Sequence, residues 1–105
     1  MKHNVLSSGS LTGTTQVAAA ATASNIGARL HSVQLIPDGT NACSVVMYNA
    51  ASNTAGKEVA VLSIAALGVA SQSVVFNNPI ECQAGLRAVL GGTGGTVIVT
   101  YSAGS

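Results

Sequence analysis

The sequence predicts an all-β fold: an antiparallel β-sandwich, jelly-roll or Ig-like, with about seven or eight short strands and an extended N-terminal arm. Three observations carry that prediction. Glycine and asparagine punctuate the chain at short, nearly regular intervals, as the turns of a many-stranded antiparallel fold do. Between them lie runs rich in Val, Ile, Leu and Thr, whose β-branched members suit a pleated surface. Several of these runs are apolar on both faces, which a sandwich explains if a neighbouring subunit or an arm partly covers its outer side.

Residues 1–24 differ in kind from the rest and read as an arm, built of Ser, Thr, Gly and Ala with Val5, Leu6, Leu11 and Val17 as its large aliphatic anchors. These four are the candidate partner-binding residues. Within the arm, residues 16–23 (QVAAAATA) are ambiguous: alanine is the best helix former, yet the neighbouring Thr and Val favour extension and no amphipathic stripe is present. An extended strand is preferred there, with helix or disorder as the alternatives.

Residues 25–105 form the sandwich domain. Strands are expected at 29–36, 42–48, 58–64, 71–76, 80–82, 86–90 and 96–101. In the second of these, Cys43, Val45 and Met47 alternate with Ser44, Val46 and Tyr48 and so share one face; in the last, Val97, Val99 and Tyr101 alternate with Ile98 and Thr100. Pro37-Asp38-Gly39-Thr40-Asn41 is the strongest turn, because Pro fixes φ, Asp bonds the following backbone and Gly accepts positive φ. Residues 49–56 form a second loop. Asn77-Asn78-Pro79 and Gln83-Ala84-Gly85 supply further turns, and Gly91-Gly92-Thr93-Gly94-Gly95 reads as a hairpin tip.

Charge says most about how the molecule works. Lys2, Arg29, Lys57, Arg87, Asp38, Glu58 and Glu81 make 7 % of the 105 residues, where an ordinary soluble domain carries about 25 %. With a formal net charge of +1 the chain has little to oppose association. A surface of Ser, Thr, Asn, Gln, Gly and Ala can be covered by neighbours at little cost in desolvated charge. A domain this small also buries a modest share of its surface, so oligomerisation is a natural supplement to its stability. The chain reads as one part of a larger assembly.

Other function classes find little support. Residues 1–10 hold a single Lys and lack the apolar run of a secretory signal. Residues 59–76 are uncharged and mostly apolar, but Ser63, Ser71, Gln72 and Ser73 would sit unpaired in lipid, and two strands joined by a turn fit better than a membrane span. Cys43 and Cys82 fall in strand-like segments with no metal-ligand spacing; buried reduced thiols are preferred to a cross-strand disulfide. Two histidines and three carboxylates scattered along the chain do not make a catalytic constellation, so no enzyme activity, cofactor or metal is expected. His31 reads as a polar strand residue, and His3 as solvated or bonded to a partner chain. Asp38 alone cannot supply the oxygen ligands that calcium takes. Lys57-Glu58 reads as edge protection. The glycine-rich loop lacks the Lys-Ser/Thr tail of a phosphate loop. Four dispersed cations argue against nucleic acid, and the scarcity of aromatic rings argues against sugar stacking.

The stretches GARLHSVQLIPDGTNACSVVMYNAASNTAGKEVAVL and NNPIECQAGLRAVLGGTGGTVIVTYS, covering about residues 26–101, resemble small β-sandwich virion proteins of tailed bacteriophages. In that pattern a "GRL" strand precedes a "DGTNA" turn, a strand ending in "YNAAS" leads to a glycine loop, and a "GLRAVLGGTGG-VIVTY" hairpin closes the fold. The resemblance implies a capsid decoration or cement protein, or a knob or fibre module. It implies a symmetric oligomer, commonly a trimer, assembled in the host cytoplasm and held on the virion surface against the major capsid protein. It carries over no catalytic residue. The arm is then expected to add as a strand to an exposed sheet edge, with Val5, Leu6 and Leu11 filling pockets between subunits. The rival expectation is a receptor- or glycan-binding module, its site formed by the loops at 38–41, 49–56 and 91–95.

Overall fold

The computed structural model describes residues 5–18, 27–50 and 58–103. Eight strands run in the order β1 (Val5–Ser7), β2 (Thr15–Ala18), β3 (Ala28–Ile36), β4 (Cys43–Tyr48), β5 (Glu58–Ile64), β6 (Gln72–Cys82), β7 (Leu86–Gly92) and β8 (Thr96–Ala103). They form two four-stranded antiparallel sheets, β1-β8-β3-β6 and β2-β7-β4-β5. First strand pairs with last, second with seventh, third with sixth, fourth with fifth. The chain is therefore one long ribbon doubled on itself, then rolled so that β3 also meets β8 and β4 meets β7. That connectivity is the jelly roll, and it decides against the Ig-like alternative.

Alternation places the core. Cys43, Val45 and Met47 point inward from β4, and Val97 and Val99 from β8, all buried as the two-residue period requires. Leu86 and Ala88 of β7 complete the inner face of one sheet. Leu30, Val33 and Leu35 of β3 face them from the other. Leu30 and Val33 are three residues apart, an odd spacing that should set them on opposite faces. A bulge between Leu30 and Ser32 resets the phase, and both end up fully buried. Burying each such Leu or Met contributes roughly 1.5–3 kcal/mol.

Two expectations about connections need correction. Asn77-Asn78-Pro79 does not end a strand. β6 continues through it, but Val75 pairs with Ser32 and Ile80 with Leu30, so residues 76–79 stand opposite His31 alone as a wide bulge. Pro79 is tolerated because β6 is an edge strand, where a missing N–H breaks no second ladder. The glycine run at 91–95 is not a hairpin tip, because β7 and β8 belong to different sheets and the segment carries the chain across the sandwich. Gly92 makes that crossing possible. Its φ is +75°, and a Cβ there would lie 2.9 Å from the Ala42 carbonyl carbon and from the Cys43 Cα. The two strands joined by a turn expected over residues 59–76 are present: β5 ends at Ile64, β6 begins at Gln72, and residues 65–71 carry the chain from one sheet to the other.

The described part of the arm completes both sheets of its own chain. β1 adds beside β8 and β2 beside β7. Gln16 secures the second addition, its Nε2 donating to the carbonyls of Ala50 (3.1 Å) and Leu86 (3.2 Å). Strand is thus the conformation at 15–18; residues 19–26, which hold the rest of the ambiguous alanine run, lie outside the described residues.

Candidate interaction surface

The four arm anchors do not form one surface. Val5 and Leu6 project from β1, 57 % and 47 % exposed. Leu11 and Val17 are half-buried and close the margin of the core, packed on its side chains. Leu11 is held by paired backbone bonds, its N–H donating to the Val97 carbonyl (2.8 Å) and its own carbonyl accepting from Val97 N–H (2.9 Å). Val5 and Leu6 are the pair left available to a partner.

The outer face of the β2-β7-β4-β5 sheet is assembled from the residues that alternate with the core. Val89, Val46 and Val61 lie side by side in register across β7, β4 and β5. On one side of this apolar row lie Gly91, Ser44 and Ser63; on the other lie Gln16, Arg87, Tyr48 and Glu58, where the charged groups gather. The Arg87 Nη1 donates to Gln16 Oε1 at 3.5 Å. On the opposite sheet, His31 Nε2 and the buried Ser102 hydroxyl share a 2.8 Å hydrogen bond, Ser32 bonds Thr100, and Arg29 pairs with Glu81 at 3.3 Å. His31 is therefore a hydrogen-bonded strand residue.

Among the described residues the exposed large apolar side chains are Val5, Leu6, Val61, Leu67, Val69 and Val75. Four of these six fall between Val59 and Ile80, a stretch with no charged residue. β5 and β6, which bound it, are the edge strands on one side of the sandwich. The connector presents Leu67 and Val69 at one end, with Leu67 at φ 67°, a conformation that costs a non-glycine residue roughly 1–2 kcal/mol. The Leu67 N–H donating to the Thr40 carbonyl (3.1 Å) and Gly68 N–H to Ala65 (3.1 Å) hold it there. No described helix is long and apolar enough to cross a membrane.

The loops offered for a receptor site separate. Residues 38–41 and 91–95 share one end, where a Cβ on Gly94 would fall against the Asp38 carboxylate. Asn49 lies at the other end of β4, its Oδ1 accepting from Ala84 N–H at 2.9 Å; residues 51–57 lie outside the described residues. Asp38 is occupied with its own loop: it accepts from Thr40 N–H (2.8 Å), Asn41 N–H (2.9 Å) and Asn41 Nδ2 (2.9 Å). The Asn41 and Thr40 bonds hold its pKa below the ordinary carboxylate value. A depression of about 350 Å³ beside Ala42, Ser44, Ser63 and Gly92 offers two hydroxyls and no exposed titratable group. Cys43 and Cys82 are free and buried, and burial pushes the Cys82 thiol up to about 11. Among the described residues no three of His, Cys, Asp and Glu gather as a metal site would need.

Comparison with protein-family models, curated proteins and solved structures gives no significant match. Sequence reasoning singled out the arm and passed over Val61, Leu67, Val69 and Val75, although the missing charge between Val59 and Ile80 marked them.

Proposed function

We propose that the chain is a virion structural protein of a tailed bacteriophage, a capsid decoration or cement protein that binds the shell of major capsid protein as a symmetric oligomer and stabilises it. The observation that carries this reading is the set of exposed apolar side chains along a charge-free stretch of a chain with only seven charges. Such a surface favours permanent contact over independent diffusion. The jelly-roll connectivity is compatible with it, since capsid domains use that architecture; lectins use it too, so the fold alone does not choose. The sequence resemblance adds the phage setting and favours three copies. Val5 and Leu6, on a strand already seated in its own sheet, would contribute side chains to the contact. Repetition over a symmetric shell would turn modest contacts into strong retention.

Mass spectrometry of purified particles that encode the chain tests the reading. It should be found in many copies, in a fixed ratio to the major capsid protein, and purified protein should bind saturably to particles stripped of it. Absence from the particle would overturn the proposal. Binding to a glycan array, with no affinity for stripped particles, would favour the receptor-binding alternative, for which the exposed Leu67 and Val69 at the loop end would be the contact.

A further inference from the structure

The two sheets have four edges, and three of them are blunted. β1 has three residues; β2 has four and a register shift; β6 carries Pro79 and the wide bulge at 76–79. Such devices keep an edge from pairing with another chain. β5 has seven residues without Pro or Gly. Its pairing with β4 slips only at Met47/Tyr48, leaving Ala60–Ile64 regular, and its single charge, Glu58, is its first residue. Among the described residues nothing pairs with its outer side, and in its middle sits Val61, 61 % exposed.

We propose that a second copy of this chain docks on the charge-free flank, by antiparallel pairing of β5 with β5 of the second copy about Val61. The strand is complementary to itself in that register. Val61 meets Val61, Ala60 meets Leu62 and Val59 meets Ser63, so no charge is desolvated at the centre. The two Glu58 carboxylates fall at opposite ends of the pair, roughly 20 Å apart at about 3.3 Å per residue. Pairing seven residues of each copy is the fullest overlap the strand allows, and register follows the apolar pattern. It also joins the row Val89, Val46 and Val61 to its two-fold mate, giving one apolar band of six valines across an eight-stranded sheet. A foreign partner would find no charge on the flank to read.

This inference rests on the reading of the chain as an assembling subunit, and adds a two-fold contact to whatever ring the subunits make. The test is the solution mass of the full chain by sedimentation equilibrium, for the native protein and for Val61→Lys. Opposed lysines in a strand pair repel, so V61K should weaken an even-numbered assembly at least about tenfold while the thermal midpoint of the subunit stays close to native. Under mild oxidation V61C should give a disulfide-linked dimer, since directly opposed Cα atoms lie about 4.5–5.5 Å apart, within the span a disulfide bridges, and S10C, exposed on the far side, should not. A native monomer, or equal cross-linking by V61C and S10C, would overturn the proposal. A trimer whose mass V61K leaves unchanged would remove the β5 contact and leave the assembly reading in place.

Discussion

Gly92 is where the jelly roll can be tested with one methyl group. Three glycine-to-alanine substitutions separate backbone strain from steric conflict. Gly9→Ala meets strain alone: φ is +71° and nothing lies within 4 Å of the new Cβ. Its cost is roughly 1–2 kcal/mol for the left-handed conformation, offset by about 0.4–1 kcal/mol from the stiffer unfolded chain. Gly92→Ala meets the same strain at φ +75° and also drives its Cβ into the Ala42 carbonyl and the Cys43 Cα, backbone atoms that cannot rotate away. Adding about 1–3 kcal/mol for overpacking and taking off the same unfolded-chain offset gives roughly 1–4.5 kcal/mol, a sizeable fraction of the about 5–15 kcal/mol that holds a typical domain together. Gly13→Ala meets neither obstacle and should stabilise by about 0.4–1 kcal/mol. Urea unfolding followed by far-UV circular dichroism orders the three variants. If Gly92→Ala cost no more than Gly9→Ala, residues 92–95 would not run tightly against β4, and the crossing from β7 to β8 would be wrong.

Three further outcomes follow from the core and the loops. Met47→Ala, at a fully buried position near the end of β4, should cost about 2–5 kcal/mol in the same unfolding assay. The Cys82 thiol is raised in the fold, so its contribution to stability is fully present below the ordinary thiol pKa and is lost as pH climbs from there toward about 11; urea midpoints measured across that window should fall, and alkylation at pH 8 should reach Cys82 only after unfolding. Asp38 behaves with the opposite sign: its pKa is lowered, so the order it gives residues 38–41 is present above the ordinary carboxylate pKa and lost as pH falls through its own lower value. Hydrogen exchange at the Thr40 and Asn41 amides should rise there, and Asp38→Ala should abolish the step.

Period-two patterning made the inner faces legible, because Cys43, Val45 and Met47 had to share a side whatever lay opposite them. It also set the strand boundaries of β3, β4 and β5 to within a residue. Connections were harder to read. A run such as Gly91-Gly92-Thr93-Gly94-Gly95 shows that the chain can bend, but not whether the next strand returns to the same sheet or joins the other. Asn77-Asn78-Pro79 shows a break in pairing, which an edge strand can absorb as a bulge without ending. The surface was least legible of all. Val46 and Val61 are paired neighbours on the same outer face, yet one is half-buried and the other mostly exposed, and the position of β5 at a sheet edge tells them apart.

The N-terminal segment carries the last prediction, because its described part, residues 5–18, is seated in its own chain. Deleting residues 1–12 removes β1 and the Leu11 bridge to Val97. Four bonds to β8 go with them: Ser8 N–H to the Val99 carbonyl (2.8 Å), Val99 N–H to Ser8 Oγ (2.9 Å), and the two between Leu11 and Val97. At a net contribution of about 0.5–1.5 kcal/mol for each bond, the loss is on the order of several kcal/mol before the uncovered apolar surface is added. β8 then becomes an open edge of eight residues with neither Pro nor Lys to protect it, which predicts aggregation of the truncated protein as well as a lower thermal midpoint. A synthetic peptide of residues 1–12 supplied in trans should restore the midpoint, since the groove it left is intact. That rescue would show the same strand able to serve a neighbour's edge under exchange. An unchanged midpoint after deletion would mean that β1 adds nothing to the sandwich and that residues 5–12 are free to act elsewhere.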